Sequence, residues 1–149
     1  MEMLEIFGLQ FLLSLLVYSL LAAWLVWPWL RGKSTHETIF WLAIPHAFRH
    51  LGLVFLVPGV VATTMPGPFN VAAAYGDLAA GILAILTITA ARYRWKMTVP
   101  LAWILNIVGI VDLANALRQV DVVPHFQSAW YIPTFVVPLL LVTHGLMVI

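Results

Sequence analysis

Two histidines and an arginine, which are side chains able to carry charge or move protons, lie within five residues of an otherwise apolar stretch. His46, Arg49 and His50 belong to the segment IPHAFRHLG, residues 44–52. Side chains at positions i, i+3 and i+4 share one face of an α-helix, so this spacing predicts that all three point to the same side. The segment therefore predicts a site for proton transfer or for binding a negatively charged group.

The composition of the chain indicates that this segment lies in a membrane. Hydrophobic residues make up 63% of the 149 residues and charged residues only 9%, too few to cover a water-facing surface. The acidic N-terminus does not resemble a cleavable signal, so the apolar run that follows is predicted to be a first span. We expect one domain over 1–149 in a membrane, most simply the bacterial inner membrane. A net charge of +1 predicts no nucleic-acid partner.

Five apolar segments are long enough to cross about 30 Å of hydrocarbon as α-helices. They cover residues 7–30, 38–61, 70–91, 98–118 and 128–149. The predicted fold is an all-α integral membrane protein of five transmembrane helices, with a core like a four-helix bundle and the first or fifth helix at its periphery. Lysine and arginine are concentrated in the first and third connections, which predicts an external N-terminus and a cytoplasmic C-terminus.

Charged and amide side chains of three predicted spans fall near a common depth. By the helical rise of about 1.5 Å per residue, Arg49 lies roughly 17 Å from the inner end of its span, near the membrane midplane. Because successive spans run in opposite directions, aspartates of the third and fourth spans reach the same depth. We expect a polar layer of Arg49, His50, Asp77 and Asp112, with His46 and Asn106 beneath it and Asn115 above it.

The arginine of this layer requires a carboxylate, because it cannot lose its proton in a protein. Either Asp77 or Asp112 is predicted to be the partner of Arg49. The other aspartate would be protonated, hydrogen-bonded by Asn106 or Asn115, or paired with a protonated histidine, since two ionised carboxylates against one guanidinium leave an uncompensated charge. The alternative interpretation is a structural ion pair with interhelical hydrogen bonds and no chemistry.

The residue types argue against two familiar kinds of membrane site. Lys33 and Lys96 lie in connections, so no lysine of the bundle could form a Schiff base with retinal. His46 and His50 have the spacing of two zinc ligands on a helix, but no glutamate base lies between them, and Arg49 would repel a dication. We therefore predict no metal site.

A b-type haem is an alternative that would use the two histidines of the second and fifth spans as axial ligands. His46 and His144 would face each other across the bundle, with Gly145 giving clearance for the macrocycle. Histidines on separate helices also occur without any cofactor, so this alternative stays open alongside the others.

Three classes of function fit these residues. The favoured class binds or transports a small anionic or lipid-like ligand: Arg49 holds the anionic group, an aspartate with His46 or His50 carries a coupling proton, and the short chain forms a homo-oligomer. The second is a membrane-embedded enzyme acting on a lipid-like substrate, with a histidine and Asp112 as acid and base. The third is an accessory subunit of a larger membrane complex, in which the polar layer serves assembly.

Overall fold

The computed structural model describes residues 1–148, and within this range the chain is helical and forms no strand. Five helices are long and apolar enough to cross a membrane, which confirms the predicted number. We number them in chain order: α1 Met3–Leu30, α2 Thr35–Leu56, α3 Gly67–Arg92, α4 Thr98–Leu117 and α5 Gln127–Val148. A short 3-10 helix, Val120–His125, lies in the connection between α4 and α5.

The start of α2 is set by a capping box. Ser34 precedes the helix, and its hydroxyl accepts a hydrogen bond from the backbone N–H of Glu37 at 3.4 Å. The carboxylate of Glu37 in turn accepts one from the backbone N–H of Ser34 at 3.0 Å. This reciprocal pair satisfies donors that the first helical turn leaves free, and it separates α2 cleanly from α1.

The end of α2 differs from the predicted span, which ran to residue 61. The helix is α-helical over Thr35–Ala47, continues as a 3-10 helix over Phe48–Leu56, and then stops. Val57 is extended because it precedes Pro58, whose ring disfavours a helical conformation in the residue before it. Gly59 then adopts a φ of +82°, which turns the chain away from the helix axis. The other four helices begin and end within a few residues of the predicted segments.

Small residues let α3 pack closely on its neighbours. Alanines and a glycine are buried along its length: Ala73, Ala74, Ala80, Gly81 and Ala84. A Cβ at Gly81 would lie only 3.2 Å from the backbone nitrogen of His50, so the backbones of α2 and α3 approach closely there. Helix α3 contacts both α2 and α4 extensively, and these three helices hold most of the charged side chains of the interior.

The two terminal helices contribute differently to the interior. Helix α5 packs against α2 and α4, and two of its polar side chains, Thr143 and His144, are buried. Helix α1 contacts the rest of the protein chiefly through α5 and the 3-10 connection. Only 6% of its most apolar 18-residue stretch is buried. The apolar side chains of α1 therefore face outward over most of its length.

Candidate functional site

The type of helix decides which side chains of α2 face the interior. A 3-10 helix has three residues per turn, so side chains three positions apart align. His46, Arg49 and Gly52 accordingly form one buried line. His50 is exposed, and its Nδ1 lies 2.9 Å from the carbonyl oxygen of Ala47. The structure thus corrects the expectation that His50 belongs to the central layer, because that expectation assumed α-helical spacing beyond Ala47.

Arg49 is held by both aspartates, although the sequence predicted only one as its partner. Its Nε donates to Oδ1 of Asp77 at 2.7 Å, and its Nη2 donates to Oδ2 of Asp112. The remaining nitrogen, Nη1, donates to the carbonyl oxygen of Gly109 at 3.5 Å. The three nitrogens of the guanidinium point in different directions, so one side chain from α2 can engage α3 and α4 together. The result is a buried ion cluster of one arginine and two aspartates.

The charges of this Asp–Arg–Asp cluster do not balance when both aspartates are ionised. The Arg49 side chain has no exposed surface, whereas those of Asp77 and Asp112 are 14% and 17% exposed. One guanidinium can compensate one carboxylate, which leaves one negative charge in a site largely removed from solvent. Burying an uncompensated charge is costly, so the cluster needs a further positive charge to reach neutrality.

The two asparagines of the predicted layer form hydrogen bonds with residues other than Asp77 and Asp112. The Oδ1 atom of Asn106 accepts a hydrogen bond from Nδ1 of His144 at 2.6 Å, and both residues are buried. Asn115 is exposed near the end of α4, where its backbone carbonyl accepts from Nε2 of Gln119 at 3.2 Å. Asn106 is therefore part of the buried site. Asn115 lies outside it, because it is exposed about one turn beyond Asp112.

His46 and His144 form a contacting pair of imidazoles between α2 and α5. Their ring centroids are 4.0 Å apart and the rings are inclined by 47°. The hydroxyl of Thr143 is hydrogen-bonded to Nε2 of His46 at 3.0 Å, and it also lies 3.0 Å from the carbonyl oxygen of Leu139 in its own helix. The second nitrogen of each ring, Nδ1 of His46 and Nε2 of His144, is buried and has no partner among the described residues. Each ring therefore has one buried nitrogen without a hydrogen-bond partner in the described part of the chain.

This close contact does not fit the haem alternative. Two axial histidines bind the iron from opposite faces of the porphyrin, so the macrocycle must lie between their rings. His46 and His144 touch each other and are 0% and 1% exposed, which leaves no space between them. A Cβ at Gly145 would have no atom within 4 Å, so this glycine does not border the rings as expected. Within residues 1–148, no group of three or more His, Cys, Asp or Glu side chains could hold a metal ion.

Glycines on neighbouring helices make room for the polar side chains of the site. A Cβ would overlap a site residue at three of them: Gly52 with Asp77, Gly76 with Asp112, and Gly109 with His144. These glycines, together with Thr143, were missed by the sequence reasoning. Their positions beside predicted site residues could have indicated them. Gly52 follows Arg49 by three residues, Gly76 directly precedes Asp77, and Thr143 directly precedes His144.

A cavity of about 50 Å³ borders the carboxylates. Asp77 and Asp112 line it together with apolar side chains. Phe55, Phe69 and Phe126 also line it, and their rings pack on one another with centroids 5.9–6.2 Å apart. This space would hold a few water molecules or one small polar group. The exposed edges of the two carboxylates are therefore available to a small ligand, whereas the guanidinium behind them is shielded.

The match to known proteins covers this whole arrangement. The chain matches the family described as Domain of unknown function (DUF8737) over residues 6–149. The chain belongs to this family. Every residue of the Asp–Arg–Asp cluster and of the histidine pair lies within the matched range. A search of the curated proteins and a search of the solved structures each found no match.

Proposed function

We propose that this chain is an integral membrane protein that binds or transports a small ligand at the Asp–Arg–Asp cluster. Its five apolar helices support insertion into a membrane, most simply the inner membrane of a bacterium. The positive charges of the first and third connections favour an external N-terminus and a cytoplasmic C-terminus. Helices α2 to α5 form a bundle around the cluster, with α1 at the periphery, where it meets α5 and lipid.

The single observation that carries the proposal is that two carboxylates share one buried guanidinium and still border a cavity. An anion would have to displace an aspartate to reach Arg49, whose three nitrogens all have protein partners. The cluster therefore favours a proton or a small cationic group over the anionic ligand expected from the sequence. One proton on either aspartate, or one monovalent cation beside them, brings the net charge of the cluster to zero.

This charge balance suggests how binding and transport could be coupled. A proton and a cation satisfy the same missing charge, so the arrival of one favours the release of the other. In both states Arg49 can donate to both aspartates, because a protonated carboxyl group keeps an acceptor oxygen, so α2, α3 and α4 stay connected. A path with alternating access is seldom built from so few helices, so the proposal includes a homo-oligomer.

The test is infrared spectroscopy of the protein in lipid, recorded across a pH titration. We expect a C=O stretching band of a buried carboxylic acid that disappears as the proton is released. Asp112→Asn and Asp77→Asn should each remove or shift this band, because each changes the pair that shares the proton. Asp121→Asn is the matched control, since Asp121 is an exposed aspartate of the 3-10 connection. Its spectrum should equal that of the wild-type protein.

Two further measurements complete this test. Elution in size-exclusion chromatography and helical circular dichroism show whether each variant remains folded. Titrating Na⁺, K⁺ or methylammonium should move the carboxyl titration to lower pH if a cation competes with the proton. A wild-type spectrum without any titrating buried carboxyl band would refute the proposal, as would a band that persists unchanged when both aspartates are replaced by asparagine.

A further inference from the structure

A second and larger cavity opens at the end of the helices where the connection between α1 and α2 lies. Its volume is about 350 Å³. The end of α1, the start of α2, the start of α4 and the end of α5 form its walls. It is separate from the carboxylate-lined cavity, which lies toward the opposite ends of these helices and shares none of its lining residues.

The mouth of this cavity carries two positive charges. Arg31 and Lys33 line it, and each lies against an indole ring. The guanidinium carbon of Arg31 is 5.5 Å from the ring centroid of Trp27, and Nζ of Lys33 is 4.1 Å from that of Trp29. These cation–π contacts restrain two long side chains at the mouth. Their combined charge matches an anionic headgroup better than a neutral one.

No carboxylate of residues 1–148 lines this cavity, although the charge of Glu37 on α2 interacts with that of Lys33. Glu37 is the nearest acidic residue along α2, but it does not line this cavity. Its side chain is engaged by the hydroxyl of Ser34 at 2.7 Å and by the backbone N–H of the same residue. The hydroxyls of Thr35 and Thr38 also line the cavity and can donate to phosphate oxygens.

Most of the side chains that line the cavity away from its mouth are apolar. Its walls include Ile39, Leu42, Ala102, Trp103, Leu146 and Met147. It extends along α4 from Val99 to Asn106, which corresponds to about 10 Å at the helical rise per residue. A charged mouth above an apolar wall is complementary to an anionic phospholipid, because its headgroup is charged and its acyl chain is apolar.

We propose that this cavity binds one anionic phospholipid, with its phosphate between Arg31 and Lys33 and part of an acyl chain along α4. The chain's inner end would reach Asn106, whose side chain also holds His144. Lipid bound here would therefore contact the same asparagine that orients the histidine pair. The inference rests on the membrane insertion proposed above, and it is independent of the ligand of the carboxylates.

The experiment compares binding of phosphatidylglycerol and phosphatidylcholine to the detergent-solubilised protein by native mass spectrometry. The variant Arg31→Gln/Lys33→Gln should weaken phosphatidylglycerol binding by about 30-fold, given the usual effect of each basic residue near anionic lipid. The matched control is Arg92→Gln/Lys96→Gln, which removes two exposed charges from the end of α3 and the connection that follows it, outside this cavity. The control should retain the wild-type affinity, and phosphatidylcholine should bind both variants equally.

A variant without any charge change tests the apolar part of the site. Val99 is 42% exposed and lines the cavity, so Val99→Trp should narrow the cavity and weaken phosphatidylglycerol binding while the fold is kept. Equal losses in the Arg31/Lys33 and Arg92/Lys96 variants would indicate general attraction of anionic lipid and overturn the proposal. Displacement of the lipid by inorganic phosphate alone would assign the mouth to a free anion and would also overturn it. Because these variants leave both aspartates intact, the infrared test of the carboxylates is unaffected by either outcome.

Discussion

Replacing Gly109 by alanine should disrupt the meeting point of α4, α5 and Arg49. A Cβ at this position would overlap the ring of His144 and would lie 2.9 Å from Nη1 of Arg49. Neither neighbour moves freely, because His144 is hydrogen-bonded to Asn106 and Arg49 is bound by two aspartates. The added methyl group must therefore break the bond between His144 and Asn106 or push the helices apart.

The expected loss of stability is about 2 kcal/mol. Inserting a methyl group into a packed interior costs about 1–3 kcal/mol. Losing the hydrogen bond between His144 and Asn106 adds about 0.5–1.5 kcal/mol. The higher helix propensity of alanine returns about 1 kcal/mol. The packing cost therefore outweighs the propensity gain at Gly109, where the Cβ meets side chains that are held in place.

Unfolding in detergent, followed by tryptophan fluorescence against temperature or denaturant, measures this loss. Gly145→Ala is the matched control, because a Cβ there would have no atom within 4 Å and stability should be unchanged or raised. In a His144→Ala background the closer of the two collision partners is absent, so Gly109→Ala should cost at least about 1 kcal/mol less than in the wild type. Equal effects of Gly109→Ala and Gly145→Ala would refute the packing described for this site.

The ion cluster and the histidines lead to three further expectations. Arg49→Gln should destabilise the protein by about 3–5 kcal/mol, because two carboxylates lose their counter-ion, and replacing both aspartates by asparagine in that variant should restore much of the loss in a denaturant titration. Thr143→Val removes the hydroxyl that is hydrogen-bonded to His46 and should cost about 1–3 kcal/mol in the same assay. Thr89→Val, at an exposed hydroxyl bonded to its own helix, should cost less than about 0.5 kcal/mol. His46→Ala should lower the thermal midpoint and His50→Ala should leave it nearly unchanged, since only the former ring is buried; comparable losses would contradict the 3-10 register of α2.

Much of the site was accessible from the sequence because charge in an apolar segment is a strong signal. Arg49, Asp77 and Asp112 were singled out by type and depth, and the structure brings all three together. His46, His144 and Asn106 were also singled out, although the bond between the last two was not anticipated. Residues without charge, such as Gly109 and Thr143, carry no comparable signal, because glycine and threonine are common in membrane helices.

The error at His50 has a specific physical origin. An α-helical period of 3.6 residues per turn over the whole of α2 predicts that His46, Arg49 and His50 share one face. The chain changes to three residues per turn after Ala47, which rotates His50 outward and brings Gly52 into line. This segment of α2 also lies close to the backbone of α3, where Gly81 admits the approach of His50.

The sequence by itself determined that the chain forms five apolar helices and that charged side chains are buried among them, because hydrophobic run length and residue type act locally. Only the tertiary structure decided how these charges combine. Arg49 binds both aspartates because three helices converge at glycines small enough to admit the side chains. The pairing of His46 with His144 and the two separate cavities likewise follow from how the helices pack on one another. Such contacts depend on distances between helices and on side-chain direction, which composition and spacing along one chain do not specify.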